Sequence, residues 1–126
     1  MIIFVVELCC MWWTNKKYDI DFSDENIDDL SKACDSLCEF FSENEEWDSM
    51  VYIDEIKKAA LDYDFNRFRN AAGHHALVGG MNSLNDIGFE KAEKENEFKK
   101  RYKTLIEKII QIGFKHPNLV KIHKRL

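Results

Sequence analysis

Two cysteines are the residues of this chain whose type and spacing come closest to a metal site. Cys34 and Cys38 are four residues apart, so on a helix their sulfurs would lie on one face and could share a zinc ion. Four further residues could complete a tetrahedral site: Cys9, Cys10, His74 and His75. However, a Cys-x3-Cys pair is not a standard zinc spacing, and free cysteine beside an apolar stripe behaves as a small hydrophobic residue. We therefore predict no metal and no cofactor.

The two histidines directly precede a glycine-rich stretch, residues 79–88, that reads Gly-Gly-Met-Asn-Ser-Leu-Asn-Asp-Ile-Gly. His74 and His75 could act there as acid, base or ligand, or simply pack on a helix and face solvent. Paired glycines permit positive φ, so we predict that one helix ends at Gly79. The stretch is either a structural hinge whose polar side chains cap helix ends or a recognition loop. As a recognition loop it would present Met81, Asn82, Asn85 and Asp86.

Common catalytic motifs are absent from the sequence. It contains no P-loop, Rossmann glycine pattern, nucleophile elbow or metalloprotease motif. We therefore predict that the protein is not an enzyme. The alternative is a small-ligand-binding or hydrolytic domain that uses His74, His75 and the stretch from Gly79 to Gly88.

Helices must position these residues, because apolar residues recur at helical spacing along most of the chain. Ser23 followed by two acidic residues predicts the start of a first helix. Its apolar stripe comprises Ile27, Leu30, Cys34, Leu37 and Phe41. A second helix is predicted from about Ser49, with Ile53, Ile56 and Ala60 on one side.

Two more helices are predicted beyond a turn at residues 62–64. The third carries Phe65, Phe68, Ala72 and His75 in register and leads to the glycines. The fourth spans residues 91–112 and is expected to stop at Gly113. Its buried face comprises Phe98, Tyr102, Leu105, Ile109 and Ile112.

We predict a mainly α protein, folded as a single compact bundle of four or five helices. Residues 1–22 form an N-terminal extension, residues 23–112 the helical core and residues 113–126 a basic tail. Residues 1–13 are almost entirely apolar but too short to span a bilayer, and they fit a buried strand or a buried helix equally well. No membrane association is expected. The four cysteines form no plausible secreted framework, which indicates a reducing cytoplasm.

The net charge of −5 hides a strong asymmetry. Residues 19–64 carry 16 acidic and 3 basic residues, whereas residues 65–126 carry 6 acidic and 13 basic ones. These charges are either solvated helix faces with attraction between two lobes, or an acidic lobe complementary to a basic partner. Such a surface would repel nucleic acid, and the short basic tail lacks the aromatic residues of a nucleic-acid site.

The glycine-rich stretch also resembles a known family. Gly-Gly-Met-x-Ser-Leu-Asn-Asp, followed by Asn96 at the opening of a long helix, is similar to small bacterial proteins of unknown function with a Gly-Gly-Met-Gly-Ser-Leu-Asn-Asp core. The resemblance covers about residues 27–112, and Trp47 and Asp64 match the family's Trp and Asp. Asn82 departs from the usual glycine, and residues 1–22 are an extension. Members are similar to the small acidic proteins encoded beside bacterial toxins.

Small size, the acidic lobe and this resemblance together favour an immunity protein that binds and occludes a cognate toxin. A toxin with a basic cleft, such as a nuclease, would suit the charge. The predicted partner-binding residues are Asp28, Asp35, Glu39, Glu43, Glu46, Met81, Asn82, Asn85 and Asp86. The oligomeric state stays open, because Trp12, Trp13 and the apolar N-terminus could be core or a dimer patch.

Overall fold

The structure is a computed structural model that describes residues 19–74 and 88–126. Within these ranges 76% of the residues are helical and no strand occurs, so the predicted all-α bundle is confirmed. The described helices are α1 (Asp24–Glu43), α2 (Trp47–Leu61), α3 (Phe65–Ala72), α4 (Ala92–Gln111) and α5 (Pro117–Arg125). Helix α1 packs against both α2 and α4, whereas α3 packs on α2 and α5 packs on α4.

Helix α1 begins and buries its residues as predicted. The Ser23 hydroxyl accepts a hydrogen bond from the Asn26 N–H at 3.3 Å, and two acidic residues follow in the first turn. The predicted apolar stripe is buried along its whole length. Its buried residues are Ile27, Leu30, Ala33, Cys34, Leu37, Phe40 and Phe41.

The ends of α1 and α2 share a backbone motif that their residue types do not indicate. Glu45 has a φ of 61°. Its N–H donates to the Ser42 carbonyl, and the Glu46 N–H donates to the Phe41 carbonyl. This is a Schellman motif, in which glycine usually takes the left-handed position. Tyr63, with a φ of 54°, repeats it at the end of α2. Both corners therefore have defined geometry without glycine.

The long C-terminal helix stops where the sequence predicts. α4 ends at Gln111, and Gly113 adopts a φ of 118° in a third Schellman motif. The chain entering α1 crosses this corner, where the Asp21 N–H donates to the Ile112 carbonyl at 2.7 Å. Gly113 therefore both ends a helix and lets residues 19–22 pass over it.

Three predictions about the other elements need correction. Helix α2 begins at Trp47, two residues before the predicted start. Helix α3 ends at Ala72, with Gly73 as its cap, before the predicted end at Gly79. Glycine has low helix propensity, and a cap position tolerates it well. Phe65, predicted to share one face of this helix with Phe68 and Ala72, is 41% exposed at the first position of α3, whereas Phe68 and Ala72 are buried.

The predicted basic tail contains a fifth helix. Pro117 lies in its first turn, and the His116 ring nitrogen accepts from the Asn118 N–H at 3.1 Å. Leu119 and Ile122 are buried within the core that α5 shares with α4. Apolar residues at i and i+3 in a basic segment are the signal that predicts this helix.

Other predictions fall on parts of the chain outside the described residues. These are the strand or helix at residues 1–13, the position of His75, and the hinge or loop at residues 79–87. Gly88, the last residue of the glycine-rich stretch, is described and exposed. Among the described helices, none combines the length and the apolar character that a bilayer span requires.

Candidate partner-binding surface

Four of the predicted partner-binding residues share one face of α1. At about 100° per residue, Asp28, Asp35, Glu39 and Glu43 lie within an arc of about 80°. We call these four residues the acidic face of α1. All four are exposed, and the face lies opposite the buried side that contains Leu37. It extends for about 22 Å along the helix at 1.5 Å per residue.

Lysines neutralise half of the acidic face of α1. Lys32 lies 2.9 Å from Asp28, and Lys57 of α2 lies 2.7 Å from Asp35. The first pair is exposed and the second is half-exposed, so each contributes little to stability. Within the described ranges, Glu39 and Glu43 have no ion-pair partner. The negative potential is therefore concentrated on the C-terminal half of the helix.

The position of Glu43 is electrostatically unfavourable for the isolated protein. It lies in the last turn of α1, which contains no basic residue, and the helix dipole is negative there. Glu45 and Glu46 follow at once. An exposed anion at a helix C-terminus costs about 0.3–1 kcal/mol. A partner that supplies positive charge would relieve this repulsion.

Glu46 lies beside the acidic face of α1 at the corner that leads into α2. It occupies the N-cap position of α2, where its side chain makes no capping hydrogen bond, and it is half-buried. The Asn44 side-chain amide donates to the Phe40 carbonyl at 2.8 Å and helps to fix this corner. Glu46 therefore has a defined backbone position next to Glu43.

Trp47 is an exposed residue that is not among the predicted partner-binding residues. Its side chain is 58% exposed, although tryptophan is usually well buried. A tryptophan in the polar break between two amphipathic helices was the available signal. Val51 and Leu61 on the same helix are also exposed, so α2 presents apolar side chains outward.

A polar cleft of about 550 Å³ lies between α2 and α3. It is lined by Glu55, Asp64, Asn66, Arg67, Asn70, Ala71 and His74. The His74 ring stacks on the Tyr52 ring with 5.2 Å between centroids. None of the described lining residues is a serine, threonine or cysteine.

Arg67 in this cleft is held by two carboxylates. Its guanidinium pairs with Glu55 through two nitrogens and with Asp62 at 2.8 Å. The hydrogen bond from Arg67 lowers the pKa of Glu55, and the same bond raises the pKa of Arg67. Arg67 belongs to the basic part of the chain, residues 65–126, and pairs with two acids of the acidic part, as expected if the two parts attract each other. Because both carboxylates already hold its guanidinium, it is not free to bind an anionic ligand.

The two helical cysteines have the character of core residues. Burial raises the pKa of the Cys34 thiol well above its usual range and that of Cys38 to about 11. Both thiols are therefore protonated near neutral pH, and neither is activated as a nucleophile. Among residues 19–74 and 88–126, no group of three His, Cys, Asp or Glu side chains could hold a metal ion. Cys9, Cys10 and His75 lie outside these ranges.

The structure thus places Asp28, Asp35, Glu39 and Glu43 on α1 and Glu46 at the N-cap of α2. The remaining predicted contacts, Met81, Asn82, Asn85 and Asp86, lie outside the described residues. Comparison of the chain with protein-family models, with curated proteins and with solved structures found no match.

Proposed function

We propose that this protein is an immunity protein that binds a cognate bacterial toxin and neutralises it by direct occlusion. One observation carries the proposal: Glu39 and Glu43 are exposed on the acidic face of α1, and no lysine or arginine of the described residues pairs with them. Glu43 lies at the negative end of the helix, where an anion lowers stability. A binding role gives a reason to keep it there.

The chemistry of this surface indicates the kind of partner. The uncompensated carboxylates of Glu39 and Glu43, about 6 Å apart along the helix axis, complement a basic protein surface, and they would repel the phosphates of nucleic acid. A toxin whose catalytic cleft is basic, as in a nuclease, presents such a surface. Occlusion of that cleft would keep substrate out, and no catalytic group of this chain would be needed. Residues 79–86 also resemble the core motif of small bacterial proteins of unknown function, whose members are similar to the small acidic proteins encoded beside toxins.

Charge reversal on the acidic face of α1 is expected to weaken toxin binding. We predict that Glu39→Lys and Glu43→Lys each raise the dissociation constant by at least about tenfold, equivalent to 1.4 kcal/mol. Most of the change should be in the association rate and should shrink at high salt, because charge steers the encounter. The experiment is co-expression with basic gene products encoded nearby, followed by titration calorimetry and stopped-flow binding.

The matched control is Glu107→Lys, which makes the same charge change at an exposed position of α4. We expect it to change binding less than threefold. Equal weakening by Glu107→Lys and Glu39→Lys would mean that only net charge matters, and it would exclude the acidic face of α1 as the contact. Failure of every nearby gene product to bind would contradict the immunity function itself.

A second candidate function is small-ligand binding in the cleft between α2 and α3. It is favoured by His74, which lines the cleft and whose ring is held by stacking on the ring of Tyr52. A metabolite or metal ion that binds there, present at a free concentration of 100 times its dissociation constant, would raise the free energy of unfolding by about 2.7 kcal/mol. Thermal unfolding across a ligand panel should show this shift, and His74→Ala should abolish it. An unchanged melting temperature with every ligand would exclude this function.

A further inference from the structure

The exposed side of α2 carries three apolar residues and two charged ones at a regular spacing. The five positions, 47, 51, 54, 58 and 61, are separated by alternating steps of four and three residues. This is the spacing of the residues that form a coiled-coil seam. We call this set, Trp47, Val51, Asp54, Lys58 and Leu61, the outer face of α2. At about 100° per residue it lies within an arc of about 80° and opposite the buried Ile56.

The two ends of this face are apolar and its middle is charged. Trp47 is 58% exposed, Val51 67% and Leu61 48%. Between them, Lys58 lies 2.8 Å from Asp54 in an exposed ion pair. Seam positions normally pack against a facing helix, but α1, α3 and the core occupy the other sides of α2. Among the helices of residues 19–74 and 88–126, none covers this face.

We propose that the outer face of α2 is a docking surface for a second copy of this chain, with the two α2 helices antiparallel. A two-fold axis at the level of Ile56 would place Asp54 opposite Lys58 of the second copy. It would also place Val51 opposite Leu61 of the second copy, and the symmetry repeats both contacts. The face is thus complementary to itself in both charge and apolar character.

The charge order selects the antiparallel arrangement and the second copy. Parallel helices in register would put Asp54 beside Asp54 and Lys58 beside Lys58, and like charges at such positions are destabilising. A basic partner would meet Lys58 in the middle of the seam. In the antiparallel pair, Trp47 lies towards the corner after Leu61 of the second copy. The exposed rings of Tyr63 and Phe65 lie at that corner.

Repulsion between two acidic lobes opposes this contact and limits its strength. Arg67 pairs with both Glu55 and Asp62, two acids beside this face, and so reduces their combined charge from −2 to −1. Charges further away are screened beyond about 8 Å at physiological salt. One helix face buries less than the roughly 800 Å² per partner of a standard interface. We therefore expect a reversible dimer that forms at high micromolar concentration, and it does not depend on the proposed toxin.

Sedimentation equilibrium at about 0.15 M salt, from about 10 μM to 1 mM protein, tests the proposal. The wild-type chain should show a reversible monomer–dimer equilibrium. Asp54→Lys alone and Lys58→Asp alone should each weaken dimerisation at least tenfold, because like charges then meet. An equimolar mixture of the two variants should restore a dimer containing one of each, because every Lys then faces an Asp.

The mixture isolates contacts between molecules, since both variants lose the same ion pair within α2. Glu107→Lys is the control for net charge and should leave dimerisation unchanged. Circular dichroism should show that both variants fold, because positions 54 and 58 lie on the exposed side of α2. A wild-type chain that stays monomeric at 1 mM, or a mixture that does not restore the dimer, overturns the proposal.

Discussion

Replacement of Gly113 by alanine is expected to lower the free energy of unfolding by at least about 3 kcal/mol. Two independent features of the position produce this effect. The φ of 118° is a backbone conformation that side chains rarely adopt. In addition, a Cβ at this position would lie 1.9 Å from the Asp19 carbonyl oxygen and 2.7 Å from its carbonyl carbon.

Relief of this clash requires the backbone of residues 19–22 to move away from the end of α4. That movement would break the 2.7 Å hydrogen bond from the Asp21 N–H to the Ile112 carbonyl. It would also disturb Phe22, whose ring lies 5.3 Å from that of the buried Phe68. The substitution therefore affects the entry to α1 as well as the end of α4.

Thermal unfolding followed by circular dichroism measures this effect. We expect the melting temperature of Gly113→Ala to fall by more than about 10 °C, at roughly 4 °C or more per kcal/mol. Gly88→Ala is the matched control, because a Cβ at Gly88 meets nothing within 4 Å. Its melting temperature should stay within about 2 °C of the wild-type value. Similar melting temperatures for the two variants would show that residues 19–22 do not pack on Gly113.

The second large effect is expected for Phe98→Ala, which should destabilise the protein by about 3–5 kcal/mol. Phe98 of α4 is 3% exposed and lies at the centre of an aromatic cluster. The centroid of its ring is 5.9 Å from that of Phe41, 6.1 Å from that of Phe40 and 5.4 Å from that of Tyr102. Because Phe40 and Phe41 belong to α1, truncation would open a cavity between the two longest helices described.

Urea unfolding provides the measurement, and the chain offers a matched control. Phe65→Ala removes the same atoms from a ring that is 41% exposed. We therefore expect it to lower the free energy of unfolding by less than half as much as Phe98→Ala does. Phe98→Leu should retain most of the stability lost in Phe98→Ala, because it leaves a smaller cavity. If Phe98→Ala lowers the free energy of unfolding no more than Phe65→Ala does, the aromatic cluster is not a main source of stability.

Local signals explain which elements could be predicted. Ser23 caps α1 and Gly113 ends α4 because capping and positive φ depend on the residue itself and its nearest neighbours. The corners at Glu45 and Tyr63 use the same backbone motif without glycine, so residue type does not reveal them. There the surrounding packing imposes a conformation that costs a side-chain-bearing residue about 1–2 kcal/mol.

Much of the candidate surface could also be read from the sequence, for the same physical reason. The positions of Asp28, Asp35, Glu39 and Glu43 on one face follow from helical periodicity, which depends only on spacing along the chain. The excess of acidic residues in the first half of the chain is likewise a property of the sequence alone. Spacing and composition therefore determined that an acidic helix face exists and where it lies.

Only the tertiary structure decided which parts of this surface are available for binding. Lys57 neutralises Asp35 from 22 positions away, and such a pairing follows from the packing of α2 on α1. The exposure of Trp47, Val51 and Leu61 was decided in the same way. Burial depends on which helices meet, and that outcome is a sum of many weak contacts between residues distant in sequence. Periodicity placed the charges on one face, and packing left Glu39, Glu43 and the outer face of α2 open to a partner.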